Sequence, residues 1–544
     1  MAIQLNAEQK SIRKLFYNTD QYIIPEFQRT YSWGYEECFQ LYNDLIEASG
    51  NDYFLGNIVI ARSSSDNTKP QVIDGQQRLI SLWLLLKVLS LYVVDTDLEG
   101  TVLMLKSWKK GVEPQMKIVS KVFEQNDNDN LLAVSRMSID DFKSRYQSVY
   151  DIHKKIVKYD KCRNAIEYAA LLFFHWLSQE DISNSDRDIF TEFLLDNVSL
   201  LPIEMGGETI LEARNKALTI FETINNRGKN LQDADIFKAR LYSNAASQNK
   251  EADFNARWRA LKDKKDALNI DFDELFRCYY HIIRGQNGTL TAEGKLRDFF
   301  QTDKSSPLTH SSYELVLDDL KKIADILDNV KNYAFPNREI VAWLQVLSVY
   351  TNSYPRYAVV AYLFKYEVPD DQHFVRYLKS IARCVYYAGS TTTVKFPIYS
   401  IIERMTSRAE LDDYFRSSFT VSELSSSSRL LSGLSLIAYY QAGNETLDKP
   451  IVEKFVYESE LTQCKGSIDL SGVNSDNIYT LANSYVSDRS LRHLTCESRL
   501  RTISGRDSMQ TFLTPSSMDK QGYVKRMELI NKQLVNFFTG NETF

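Results

Sequence analysis

The chain has 544 residues, of which 44% are apolar and 25% charged, with only 20 Gly and 11 Pro. That balance excludes a disordered, collagen-like or low-complexity protein, and at roughly 150 residues per domain it predicts two to four domains. A formal net charge of −6 excludes a histone-like polycation but not a local basic groove, because nucleic-acid binding depends on where charge is placed. The cysteines, at positions 38, 162, 278, 384, 464 and 496, form no C-x-x-C pair and suit the reduced thiols of an intracellular protein. The first residues lack a basic stretch followed by an apolar run, so no signal peptide is expected and the localisation is read as cytoplasmic.

Residues 21–25 form a short extended run, with Ile24 held out of the helical region by Pro25. The spacing of Phe39, Leu41, Leu45 and Ile46 predicts a helix over 33–48, and 53–61 is β-rich. Polar residues 63–69 suggest a hairpin turn into a strand at 71–74. The most apolar segment, 79–94, is too short for a membrane span and carries Lys87, so a buried helix is expected. Beyond residue 136 the helical period dominates. Helices are expected at 138–159, 163–180, 186–196, 210–224, 232–247, 251–266 and 271–284. Others follow at 313–333, 338–351, 356–366, 370–388, 429–441 and 521–539. The fold class is α+β: a mixed α/β N-terminal domain over 1–245, a helical domain over 246–445 and a mixed C-terminal segment over 446–544.

The sharpest chemical feature is Asp74-Gly75-Gln76-Gln77-Arg78, placed between a strand and a helix. A helix N-terminus presents unpaired N–H groups and a positive dipole end, both suited to phosphate. Gly75 allows a close turn, Arg78 can grip phosphate oxygens, and Asp74 can hold a metal ion or orient a water. Gln76 and Gln77 can donate to phosphate or position that water. The same residues also suit a plain polar turn with an N-cap aspartate. A second cluster, residues 24–33, sets Gln28 and Arg29 among aromatics, where Tyr31 and Trp33 suit either core packing or base stacking. A third, residues 221–231, holds Asn225-Asn226-Arg227-Gly228, a plausible helix C-cap, ahead of Lys238.

Taken in order, I-P-x-F-Q-R-x-Y-x-W, F-L-G-x-I-V-I, V-I-D-G-Q-Q-R-L and I-F-x-x-I-N-x-R-G-x-x-L-x-x-x-D-I-x-K resemble the N-terminal domain of GmrSD-type modification-dependent restriction enzymes, over roughly residues 8–245. The resemblance implies a ParB-like core that binds and hydrolyses a nucleoside triphosphate (base unspecified), with Mg²⁺ held by Asp74. It implies Asp74, Gln76, Gln77 and Arg78 as catalytic residues, and Gln28, Arg29, Tyr31, Gly75, Asn225, Arg227 and Lys238 as nucleotide-binding ones. It further implies control of the cleavage of foreign, modified or phage DNA, with a separate nuclease or effector subunit, no membrane, and self-assembly left open.

The family's nuclease usually carries an H-x-x-P motif in a C-terminal His-Me finger domain. None of the six histidines here is followed by proline three positions on, and His493 is the only one in the last hundred residues. Segment 446–544 is therefore read as a decayed nuclease domain or an unrelated mixed segment. Two basic stretches are candidate DNA contacts: Lys106, Lys109, Lys110, Lys117 and Lys121 around Trp108, and Arg489, Arg492, Arg499, Arg501 and Arg506 with His493. Such runs also occur as plain solvated faces. Asp319 and Lys321 match a bare D-x-K in a helical stretch and are discounted. The principal reading is an NTP-hydrolysing component of a restriction or antiphage system. The alternatives are a DNA nuclease in its own right and a non-enzymatic, nucleotide-gated binding module.

Overall fold

The computed structural model describes residues 5–17, 20–65, 69–93, 98–105, 115–122, 126–225, 233–367, 370–388, 391–419, 428–454, 481–482, 484–495, 498, 502 and 520–540. The chain divides into two compact units, Met1–Ala260 and Leu261–Phe544. The first is built on a mixed sheet and the second is mostly helical, so the class is α+β.

The N-terminal unit contains strands β1 (Leu5–Ala7), β2 (Lys10–Ser11), β3 (Tyr22–Ile24), β4 (Tyr53–Ser63), β5 (Gln71–Asp74), β6 (Ile118–Ser120) and β7 (Val198–Gly207). Their spatial order is β1-β7-β4-β5-β3-β6, with β2 also paired to β7. β7 and β4 run parallel from Val198 opposite Tyr53 to Gly207 opposite Ser63, with one register shift at Ser199/Leu200. β4 and β5 form the expected antiparallel hairpin, and β3 lies parallel to β5.

The sequence reading missed β7. Its Pro202 and two closing glycines argue against a central strand, since proline cannot donate to a ladder. Pro202 is tolerated because β1 pairs with residues 203–205 and β2 with 199–200, leaving a break in the neighbouring edge at that position. A second correction concerns 138–159, where helix Ile139–Val149 gives way to a small hairpin, Tyr150–Asp151 with Ile156–Val157. The Asp151 carboxylate accepts the backbone N–H groups of His153 and Lys154, and Lys155 turns at φ 54°, which together stop the helix.

Four longer helices of this unit matter below: α1 (Tyr35–Glu47), α2 (Gln76–Leu89), α3 (Ala165–Leu177) and α4 (Ile210–Asn225). α2 is buried from Gln76 to Leu89 except at Arg78, because the run Leu79–Leu89 is apolar nearly all round and needs cover on every side. α3 packs along it, and Trp83 donates to the Leu103 carbonyl at 3.3 Å. At the start of α3 the buried Glu167 carboxylate is gripped by two N–H groups of Arg145, at 2.8 and 3.1 Å, and by the backbone N–H of Arg163 at 2.6 Å.

In the second unit the longer helices are α6 (Phe272–Gln286), α7 (Tyr313–Lys331), α8 (Arg338–Ser348), α9 (Tyr354–Lys365), α10 (Asp371–Ala388), α11 (Thr391–Glu403), α12 (Ser428–Gln441) and α13 (Lys520–Thr539), while α5 (Asp233–Ala246) belongs to the first. The C-terminal α13 lays Phe537 on Trp343 of α8 with centroids 5.1 Å apart, and Arg383 of α10 donates to the Phe537 carbonyl. Strands β8 (Pro450–Lys454) and β9 (Ser484–Asp488) form an antiparallel pair. Among the described residues no helix is long and apolar enough to cross a membrane. Cys38, Cys162, Cys278 and Cys384 are free thiols, each with its pKa raised by burial.

Burial pushes the Glu167 carboxyl upward, but Arg145 and the Arg163 N–H outweigh it and hold it below its usual 4.5. A depressed carboxyl contributes stability fully above its unfolded value and loses it as pH falls through the folded one. Arg145→Ala leaves that buried charge without its main partner and is expected to destabilise the N-terminal unit by about 3 kcal/mol at neutral pH, with a smaller difference below pH ~4. Urea denaturation of wild type and variant at the two pH values checks both outcomes.

Candidate functional site

β5 turns into α2 through one residue. Gly75 is left-handed (φ 86°, ψ 7°), and a Cβ there would lie 2.6 Å from Ile58 Cγ2 and 3.3 Å from the Asn57 carbonyl. Only glycine meets both demands. Having no side chain, it also leaves the first N–H groups of α2 without a side-chain cap.

The second motif lies directly over this turn. Because β3 pairs beside β5, the loop after Ile24 crosses the end of β5, where Gln28 Nε2 donates to the Ile73 carbonyl at 2.8 Å. Gln76 Nε2 donates to the Arg29 carbonyl at 3.2 Å, and Gln77 Nε2 to the Thr30 carbonyl at 3.0 Å. Gln77 Oε1 in turn accepts the Ser32 N–H at 2.9 Å. Three glutamines thus join the two motifs, which are distant in sequence. Gln77 spends both ends of its amide on this junction and is a positioning residue. Gln76 does not: its Oε1 is closed off from solvent and has no hydrogen-bond partner among the described residues. An orphaned buried oxygen is costly until a donor or cation reaches it.

Arg78 leaves the helix toward β4, where its Nη1 donates to the Asn57 carbonyl at 3.1 Å. It passes over Gly56, a residue at φ 120° where a Cβ would stand 2.8 Å from Nη1. This explains the glycine of the F-L-G motif, whose role the sequence did not disclose. Neither Arg78 nor the exposed Arg29 has a carboxylate at ion-pair distance among the described residues. Lys238, on α5, is buried with its Nζ 3.5 Å from the Gln28 carbonyl and over the Trp258 ring.

Tyr31 is placed differently from the base-stacking reading. It is 2% exposed, its hydroxyl is 2.6 Å from Ser81 Oγ, and its N–H donates to Asp127, so neither ring face is available to a base. Lys117, grouped by sequence with Lys109 and Lys110, is 1% exposed, and burial lowers its pKa, which removes it from any surface patch. Arg214 on α4 was overlooked, for nothing in its sequence neighbourhood marks it. It is buried between the rings of Phe27 and Tyr242 and donates to Gln71 on β5 at 3.1 Å.

Asn225 is the last residue of α4, and Arg227 lies outside the described residues, as do Lys109, Lys110, Arg499 and Arg501. Arg492 is exposed in the short 3-10 turn Arg489–His493, where His493 Nδ1 is 2.7 Å from the Ser490 carbonyl. Asp319 lies within α7, accepting from the Tyr279 hydroxyl, in keeping with a helical setting. Among the described residues no three His, Cys, Asp or Glu side chains group as a metal site.

The glycine-wedged turn, the glutamine junction and the two arginines lie within a recognised stretch: residues 12–242 match the family model described as GmrSD restriction endonuclease, N-terminal domain. That stretch is a GmrSD-type N-terminal domain. The match indicates a component of a restriction or defence system. No curated protein matches it.

Gly75→Ala combines left-handed strain with a Cβ pressed against Ile58. The expected cost is about 2 kcal/mol, or ~4–8 °C in melting temperature for a unit of this size. A thermal melt beside wild type measures it.

Proposed function

We propose that the N-terminal unit binds and hydrolyses a nucleoside triphosphate, and that this step regulates recognition or cleavage of foreign or modified DNA together with a partner effector. The observation that carries the reading is the start of α2, which has no side-chain cap from Gly75, together with two arginines without carboxylate partners among the described residues and the orphaned Gln76 Oε1. Such a helix start attracts phosphate through its N–H groups and dipole, and guanidinium groups add paired donors. The core is read as ParB-like on the strength of the motif order.

Arg78 and Arg29 would hold the phosphates, with Lys238 behind the loop that carries Gln28. Mg²⁺ commonly takes one or two protein carboxylates and completes its shell with phosphates and water. Asp74, at the end of β5, supplies a carboxylate, and the unsatisfied Gln76 oxygen adds a second hard donor, so the residues present fit the ion. When bound, Mg²⁺ would neutralise phosphate charge. Gln76 would orient the attacking water. Gln77 and Gln28 would act at one remove, by keeping the Arg29 loop on the turn. DNA contact is assigned to the basic stretches around Lys109 and Lys110 and around Arg492, Arg499 and Arg501.

Asp74→Ala and Arg78→Ala are each expected to lower phosphate release about 100-fold or more with the fold intact, as for loss of a contact to a transferring phosphoryl group. Arg29→Ala and Gln28→Ala should weaken nucleotide binding. A phosphate-release assay across the four NTPs, with and without DNA, and calorimetric titration of the variants check these outcomes. Wild-type turnover in both Asp74 and Arg78 variants would remove the site assignment, and binding without any turnover would favour a nucleotide-gated binding module. Metal-dependent DNA cutting by the purified chain would instead favour a nuclease.

A further inference from the structure

The helical unit contains a second charged cluster, remote in sequence from the turn at Gly75. Arg277, His281 and Arg284 are spaced four and three residues apart on α6, so they share one helix face. Opposite them stand Glu293, from the segment after α6, Tyr354 at the start of α9, and Tyr399 on α11. The Glu293 carboxylate accepts the Tyr354 hydroxyl at 2.7 Å and the Tyr399 hydroxyl.

The remaining donors are not satisfied by this carboxylate. His281 is 1% exposed, yet its Nε2 stops 3.7 Å from Glu293 and has no hydrogen-bond partner among the described residues. Arg277 Nη1 stops at 3.9 Å. Arg284, also buried, bonds to the Tyr280 hydroxyl and the Thr291 carbonyl, but its Nε is orphaned and no carboxylate pairs with it among the described residues. Burial pushes His281 down to about 3, so the imidazole is neutral. Arg277 and Lys395, the latter over the Tyr354 ring, lie beside Glu293, while the nearby Glu274 carboxylate is already paired with Arg356. Orphaned donors on two buried side chains of one helix face are uncommon and costly. A carboxylate offers two oxygens, whereas a phosphate offers three strong acceptors and more charge, enough to engage donors that Glu293 leaves short. Phe396, 54% exposed and edge-on to Tyr399 at 5.7 Å, provides an aromatic face at the same place.

We propose that this cluster is a second anion site, for the phosphomonoester of a nucleotide, in which Glu293 is a built-in stand-in. The phosphate takes the Glu293 position on Tyr354 and Tyr399 and reaches Arg277 and His281, while the base packs on Phe396. The nucleotide is either free or the 5′-phosphorylated end of a nucleic acid, since both present the same group.

The test is calorimetric titration of the full chain carrying Asp74→Ala and Arg78→Ala, which keeps the first site out of the measurement. The probes are dAMP, a 5′-phosphorylated single-stranded DNA 12-mer and the same 12-mer without phosphate. Glu293→Gln removes the competing charge at constant shape and is expected to tighten binding of the phosphorylated probe about tenfold or more. Adding Arg277→Ala should cancel that gain. Glu293→Ala, which removes the competing carboxylate and leaves both tyrosine hydroxyls in place, is likewise expected to tighten binding about tenfold and gives a second route if the glutamine variant melts early. Tight binding of dAMP points to a free nucleotide, and binding of the phosphorylated 12-mer alone points to a nucleic-acid end. No gain in either variant, a gain that survives Arg277→Ala, or equal binding of the unphosphorylated 12-mer would overturn the proposal.

Discussion

The N-terminal unit turns on one backbone constraint, the left-handed residue between β5 and α2. Because Gly75 reverses the chain in a single step against Ile58 and the Asn57 carbonyl, Gln76, Gln77 and Arg78 emerge directly at the end of the sheet. Helical geometry then sends them in different directions. The two glutamines meet the loop over residues 29–32, and Arg78 crosses β4 at Gly56. Behind them α2 is buried almost all round, so the turn cannot shift without disturbing the core.

Much of the polar chemistry around the turn serves placement. Gln28, Gln77 and the Tyr31 hydroxyl all bond to protein groups, and their effect on any ligand passes through the position of Arg29 and the first N–H groups of α2. Such a layer supports groups that must be held close to a working geometry. The residues left over after this accounting, Arg29, Arg78 and one oxygen of Gln76, have unused capacity. Unused capacity at a helix N-terminus is what recommends the site for phosphate, more than the presence of a polar motif.

The helical unit handles charge in another way. Its cationic face on α6 is folded against tyrosines and one carboxylate, and the distances from His281 and Arg277 to Glu293 are too long for hydrogen bonds. Arg383 in the same unit is better matched: it meets the Phe537 and Asp413 carbonyls and lies over two aromatic rings. The contrast between these two arginine environments marks the α6 face as one where packing stops short of satisfying its polar groups.

The hairpin into Gly75 and the helix behind it were legible in the sequence because their signals are local. A β-rich run, a polar turn and an apolar stretch follow one another within 40 residues, and the motifs on them carried the family. The convergence of residues 24–33 on that turn could be anticipated from motif order, but its atoms could not, since they depend on β3 pairing beside β5. β7 was illegible: Pro202 and its glycines speak against a central strand, and only the broken edge formed by β1 and β2 makes that proline acceptable. Lys117 and Tyr31 fall in stretches where a basic or aromatic residue fits surface and core equally, and burial alone separated the two. Arg214 and the α6 cluster have no motif at all, because their environments are assembled from segments far apart in the chain. Local turn chemistry and apolar period were thus written in the sequence itself. Which polar groups are satisfied, and which are left facing one another without a partner, was decided by tertiary packing, because satisfaction depends on neighbours that no local pattern names.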